Sequence, residues 1–155
     1  MPVVRPHDQH VESIAYFDPA RPNLECWLTE PGRLTQFGAF IHLLQPGTRS
    51  SIKHWHSAED ELVYVLEGDI TLLEGSAETV LHAGDAAVFK AGDPVGHSFW
   101  NHSPAPTKLL VVGTRAQVDR ITYPDHDRLL HRDRSQPEDQ WTDLAGRPAS
   151  DPYAT

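Results

Sequence analysis

From Gln36 to Gly113 the chain alternates short apolar runs with turn signals: FGAFIHLL then QPG, ELVYVL then EGD, ITLL then EGSA, TVLHA then GD, AAVF then KAGDPVG, HSFW then NHSPAP, and finally KLLVVG. Runs this short, broken at regular intervals by Gly, Pro, Asn and Asp, predict antiparallel strands of a sandwich or barrel and leave little room for helix. In LVYVLEG, counting in twos from Glu61 puts Val63 and Val65 on one face and Leu62, Tyr64 and Leu66 on the other. Both faces are apolar. A free antiparallel sheet is normally polar on its solvent side, so a second sheet, the N-terminal segment or another subunit must cover the outer one. KLLVVG repeats the pattern, and a homodimer is the expectation.

A chain of 155 residues is long enough for one core and predicts a single domain. Residues 1 to 33 mix prolines with apolar spots such as IAYF and CWL and read as edge strands behind a disordered start over the first ten residues. After Thr114 the composition turns to Asp, Arg, Pro and His, with Tyr123, Leu129, Leu130, Trp141 and Leu144 as isolated anchors, which reads as an extended, partly packed tail over 114–155 that frays towards Thr155. One cysteine, Cys26, excludes an internal disulfide. MPVVRPHDQH lacks a signal peptide's apolar run, and no segment approaches the roughly 18 apolar residues of a membrane span, so a cytoplasmic protein without a membrane partner is expected. A net charge of −9, with basic residues scattered among acids, disfavours nucleic acid as a partner.

Chemistry concentrates in KHWHSAEDELVYVLEG. His54 and His56 are two apart and project from one face of a strand. Glu61 has the wrong parity for the same straight strand, but Ser57 to Asp60 reads as a turn that resets the register, giving a hairpin. His97 returns much later in GHSFWN. Three imidazoles and one carboxylate suit one divalent transition metal (Fe, Mn, Co, Ni or Zn) and are too rich in nitrogen for calcium or magnesium. HxH alone is a weak signal in a chain with ten histidines; those at 7, 10, 126 and 131 lie in the flanks and read as surface residues.

The surrounding pattern is far more specific. His54-x-His56-x4-Glu61-x6-Gly68, followed by Gly84-x7-Gly92-x4-His97-x3-Asn101, resembles the two motifs of the cupin superfamily, and every ligand position is matched. The resemblance covers residues 34–113 and implies a double-stranded β-helix, the jelly-roll barrel, around one metal held by these four side chains. Two departures are small: Gly47 lies one residue further from His54 than usual, and Lys90 stands where proline is common. EDELVYVLEGD with GTRAQVDRITYPDHD is similar to small stand-alone bacterial cupins without an agreed reaction.

Other side chains divide by parity. Trp55 points away from the metal and reads as packing; Tyr64 shares that parity, and its hydroxyl is expected to make a structural hydrogen bond. Glu59 and Asp60 form an acidic turn that could orient a ligand histidine. Phe99, two residues from His97, is a candidate pocket wall, and His42 is a second pocket candidate although FIHLLQPG fits either parity. Asn101 reads as architectural, and Ser50 and Ser51 lack the base and orienting group of a serine nucleophile.

An ion with four protein ligands keeps about two positions open, which fits catalysis or ligand binding better than a closed structural site. The sequence therefore implies an enzyme acting on a small polar or anionic organic molecule, by oxygenase or by Lewis-acid isomerase, decarboxylase or lyase chemistry. The alternative is a non-catalytic module that uses the metal to bind a small molecule; a brace-only metal is disfavoured because a β-roll has its own core. No catalytic residue is assigned at this level.

Overall fold

The computed structural model describes residues 3–154. Thirteen strands run in chain order as β1 (His10–Ile14), β2 (Asn23–Trp27), β3 (Phe37–Leu44), β4 (Trp55–His56), β5 (Glu61–Glu67), β6 (Asp69–Glu74), β7 (Ala77–His82), β8 (Ala86–Phe89), β9 (His97–Trp100), β10 (Thr107–Thr114), β11 (Val118–Tyr123), β12 (Arg128–Asp133) and β13 (Gln140–Thr142). Among the described residues, helix is confined to two 3-10 turns, Pro6–Asp8 and Pro124–His126. All pairings are antiparallel.

One sheet has the order β1-β2-β3-β10-β5-β8. Facing it is a three-stranded sheet, β7-β6-β9, extended through the Arg49–Trp100 and His54–His97 bridges to β4 and the sheet β13-β12-β11-β4. Two sheets closing on one core make the β-roll that the turn spacing predicts. Glycine sets a corner between them: Gly68, at φ +81°, turns the chain from β5 in one sheet to β6 in the other, and a Cβ there would meet Thr107 Oγ1 at 3.2 Å.

The core between the sheets holds Leu44, Val63, Val65, Ile70, Leu72, Ala87, Phe99, Leu109 and Val111. Each fully buried aliphatic side chain here contributes on the order of 1.5–3 kcal/mol. The β5 alternation is as the sequence predicts: Val63 and Val65 are buried, while Leu62, Tyr64 and Leu66 face outward, each 38% exposed in the single chain. In register with Leu62 stand Val112 on β10 and Val88 on β8, so the outer face of the six-stranded sheet carries an apolar row.

Three local expectations are corrected. The His54–Glu61 segment is not a hairpin: β4 pairs with β11, and β5 pairs with β10 and β8, so the Ser57–Asp60 turn carries the chain from one sheet to the other. The ligands thus converge from both walls of the roll. The segment after Thr114 is more regular than an extended tail, because β11, β12 and β13 form a meander on β4. It has its own small core of Ile52, Ile121, Tyr123 and Leu130, with Phe17, Trp141 and Tyr153 packed against it. Half or more of the residues in each of these strands are polar, so the composition reads like that of a tail. At the N-terminus, the 3-10 turn at Pro6–Asp8 and the start of β1 at His10 give residues 6–10 defined structure, against the expected disorder; Met1, Pro2 and Thr155 lie outside the described residues.

Candidate metal centre

β4 and the bridge before it place His54 and His56, the first residue of β5 places Glu61, and the first residue of β9 places His97. Potential donor atoms of His54, His56 and Glu61 lie within 4.8 Å of one another. His97 joins this trio through Glu61, whose Oε2 is 3.8 Å from His97 Nε2 and 3.9 Å from His56 Nε2. The His97 ring is fixed by stacking on Phe89, with centroids 3.5 Å apart and planes 4° from parallel.

The distal nitrogens of the HxH pair are anchored. His54 Nδ1 lies 3.0 Å from the Ile52 carbonyl, an acceptor only, so this nitrogen carries the proton and Nε2 keeps its lone pair. His56 Nδ1 lies 2.6 Å from Asp119 Oδ2, on β11. Burial raises the Asp119 carboxyl, but hydrogen bonds from His56, the Ala58 amide and Ser57 outweigh it and hold it below the usual range. An ionised Asp119 accepts, which fixes His56 as the donor at Nδ1. Burial, with the neighbouring His97 and His56, lowers His54 to about 4 and keeps it neutral, as a ligand must be. Burial pushes Glu61 up, yet its contact with His97 and the surrounding imidazoles prevail and keep it ionised.

Asp119 fills the role considered for Glu59 and Asp60. Glu59 Oε1 instead accepts from Arg134 Nη2 at 2.8 Å and the Ala116 amide at 3.0 Å, and Asp60 accepts from the Ala91 amide at 2.8 Å. His56, Glu59 and Asp119 also cluster, but their carboxylates are occupied by these donors, which makes a hydrogen-bond network rather than a second ion site. A buried Asp on the apolar parity of VDRITY, beside Ile121 and Tyr123, was the available signal for Asp119.

The four candidate ligands line a cavity of about 280 Å³ between the sheets. Phe99 and His42 both line it as well; Trp55 does not. Burial lowers His42 to about 4, so it is a neutral imidazole. Glu25 on β2, missed by the sequence reading, also lines the cavity, and burial, with the charges of Glu12 and Glu61, raises it to about 7. Among the described residues, the buried polar side-chain atoms without a partner are Trp27 Nε1, His42 Nε2, both His97 ring nitrogens and Ser98 Oγ. All belong to residues lining this cavity. Buried polar groups are normally satisfied, so their collection here marks a surface built for a ligand. The orphaned His97 Nε2, the Nε2 atoms of His54 and His56, whose Nδ1 protons are donated to Ile52 and Asp119, and an ionised Glu61 fit a divalent transition metal. Asn101 is architectural: its Nδ2 donates to the carbonyls of Leu44 and Ala105, and its Oδ1 accepts from Ser103.

A β-roll with histidines and a glutamate converging on an internal cavity is an arrangement of the jelly-roll type. The family model described as a cupin domain matches residues 40–113. The chain is 34% identical to a sugar phosphate isomerase of the cupin superfamily from Silicibacter pomeroyi, over 96% of this chain and 97% of that one, with a TM-score of 0.86. A putative sugar phosphate isomerase from Acidithiobacillus ferrooxidans is 27% identical, covering 86% of this chain and 83% of that one, with a TM-score of 0.75. A predicted oxalate decarboxylase from Thermotoga maritima shares the fold at 22% identity and a TM-score of 0.61, over 74% of this chain and 99% of that one. No curated protein matches. The chain belongs to the cupin superfamily. Among the described residues no helix is long and apolar enough to cross a membrane.

Proposed function

We propose that this cupin is a metal-dependent isomerase of a small phosphorylated sugar, with His54, His56, Glu61 and His97 holding one divalent transition metal. The observation that carries the reading is the collection of orphaned polar atoms on one cavity beside Glu25, whose carboxyl sits near neutrality. The full-length likeness to a sugar phosphate isomerase supports the reaction class. A cavity at the lower edge of the roughly 300–1,000 Å³ usual for small-molecule sites suits a single sugar phosphate better than a nucleotide-linked one.

When bound, the ion supplies Lewis acidity that polarises a carbonyl and the adjacent hydroxyl. The chain supplies the rest. Glu25, as carboxylate, takes the proton from the carbon next to the carbonyl and returns it to the former carbonyl carbon; a hydroxyl proton passes between the two oxygens, so no oxidant or reductant is consumed. A carboxyl near 7 is matched to both directions of that transfer at neutral pH. Neutral His42 offers a ring nitrogen to a substrate hydroxyl, and Phe99 and Val63 exclude water from the floor.

The test is deuterium exchange: metal-loaded protein incubated with pentose and hexose phosphates in D2O, with and without oxygen, followed by NMR. Oxygen-independent interconversion with label at the transferred carbon is expected. Turnover only in air would make the protein an oxygenase, and retention of a sugar phosphate without exchange would make it a binding module. We also propose that the apolar outer face of the six-stranded sheet joins two copies of the chain.

A further inference from the structure

Three arginines line the cavity, and two of them are neutralised. Arg132 pairs with Asp139 at 3.0 Å and Arg134 with Glu59 at 2.8 Å. Arg115 differs: among the described residues its guanidinium has neither an ion-pair partner nor a hydrogen-bond acceptor, although its backbone is fixed by the Gln36 carbonyl at 3.1 Å. Its seat is shaped for it. The guanidinium carbon lies 5.4 Å from the centre of the Trp27 ring, and the group occupies the space where a side chain on Gly38 would begin. A Cβ at Gly38 would meet Arg115 Nε at 2.8 Å and Nη2 at 2.9 Å. Gly38 lies within β3 and has no positive φ, so glycine is required there for room rather than for turning.

The neighbours of this seat tell what it takes. A guanidinium and an indole N–H are donors without acceptor capacity, and Trp27 Nε1 is one of the orphaned buried atoms. Two donor-only groups on one cavity wall call for an acceptor-rich group, and the planar fork of Arg matches a phosphate in two-point contact. We propose that Arg115, seated over Gly38 and stacked on Trp27, is the anion-recognising end of the cavity and binds the phosphate group of the substrate. This rests on the sugar phosphate reading and adds to it which end of the cavity holds the charge. Arg115 then sets specificity for phosphorylated over free sugar, while the opposite chemistry is left to the His and Glu cluster.

The experiment is calorimetric titration of metal-loaded protein with inorganic phosphate, ribose 5-phosphate and ribose, for wild type and for Arg115→Ala, Arg115→Lys and Gly38→Ala, with far-ultraviolet circular dichroism as the check on folding. Gly38→Ala keeps every charge and displaces only the flexible end of Arg115, so it separates the seat from net charge. Wild type should bind ribose 5-phosphate at least tenfold tighter than ribose. Arg115→Ala and Gly38→Ala should each lose most of that preference with ribose affinity unchanged, and Arg115→Lys should fall between. Phosphate binding that is indifferent to all three variants and disappears with a chelator would place the anion on the metal and overturn the proposal. If wild type isomerises a sugar phosphate while Arg115→Ala keeps its KM, the Arg115 assignment falls and the isomerase reading stands. If the preference for phosphate depends on Arg115 but no sugar phosphate is converted, the isomerase reading falls and the anion site stands.

Discussion

Asp119 Oδ2 accepts the His56 Nδ1 proton at 2.6 Å across 63 residues of sequence, joining a strand of the roll to the meander that follows it. The same carboxylate holds the turn between His56 and Glu61 through Ser57 Oγ and the Ala58 amide. Two candidate ligands therefore share one orienting group. Replacing it with Asn leaves the shape but presents an amide whose NH2 cannot accept from His56. Asp119→Asn should lower metal affinity by about 10- to 100-fold with little change in fold, measured by competition with a chromophoric chelator. Unchanged affinity would remove Asp119 from the site.

How this site could be seen beforehand differs from residue to residue. His54, His56, Glu61 and His97 stood out because their spacing survives as a linear pattern. Val63, Val65, Leu62 and Leu66 were assigned to opposite faces because a strand has period two whatever sheet it joins. Asp119, Glu25 and Arg115 did not stand out. Each is one acid or base among many, and what distinguishes it is burial or the lack of a partner, which arise only when β2, β3 and β11 come together. The meander escaped for a related reason. Its small core draws Ile52 from before β4 and Tyr153 from near the end, so no local window holds enough apolar residues to reveal it.

Glu25 gives a pH signature. A carboxyl at about 7 in the folded chain, against 4.5 ordinarily, holds an extra proton when folded. Stability is therefore full below about 4.5, falls as pH rises towards 7, and stays reduced above it. Glu25→Gln removes that titration. Metal-free Glu25→Gln should exceed wild type by on the order of 1–3 kcal/mol at pH 8, a gap closing towards pH 5, in urea unfolding curves. It should also lose isomerisation while keeping phosphate binding. A stability difference that does not vary with pH would sink the assignment.

The outer sheet face yields a prediction about assembly. Leu62 is flanked in register by Val112 and Val88, and Val88 is 72% exposed in the single chain. Light scattering on wild type should give twice the chain mass of 17.3 kDa. Leu62→Lys, which puts a charge at the centre of the row, should give the single-chain mass with circular dichroism unchanged. A wild type that is monomeric at tens of micromolar would end the dimer reading.

His97 separates a metal that serves chemistry from one that holds the fold. Its ring nitrogens have no partner among the described residues, so truncating it breaks no hydrogen bond; what is lost is the stack on Phe89. The roll itself rests on the apolar core from Leu44 to Val111. Metal-free His97→Ala should therefore unfold within about 2 kcal/mol of metal-free wild type. Adding metal in large excess over its dissociation constant should stabilise wild type by about 3–4 kcal/mol through selective binding to the native state, and the variant by far less. Thermal melts of both proteins with and without added metal test this. A variant unfolded at room temperature would make His97 a structural residue, and a variant stabilised as much as wild type would place the ion elsewhere.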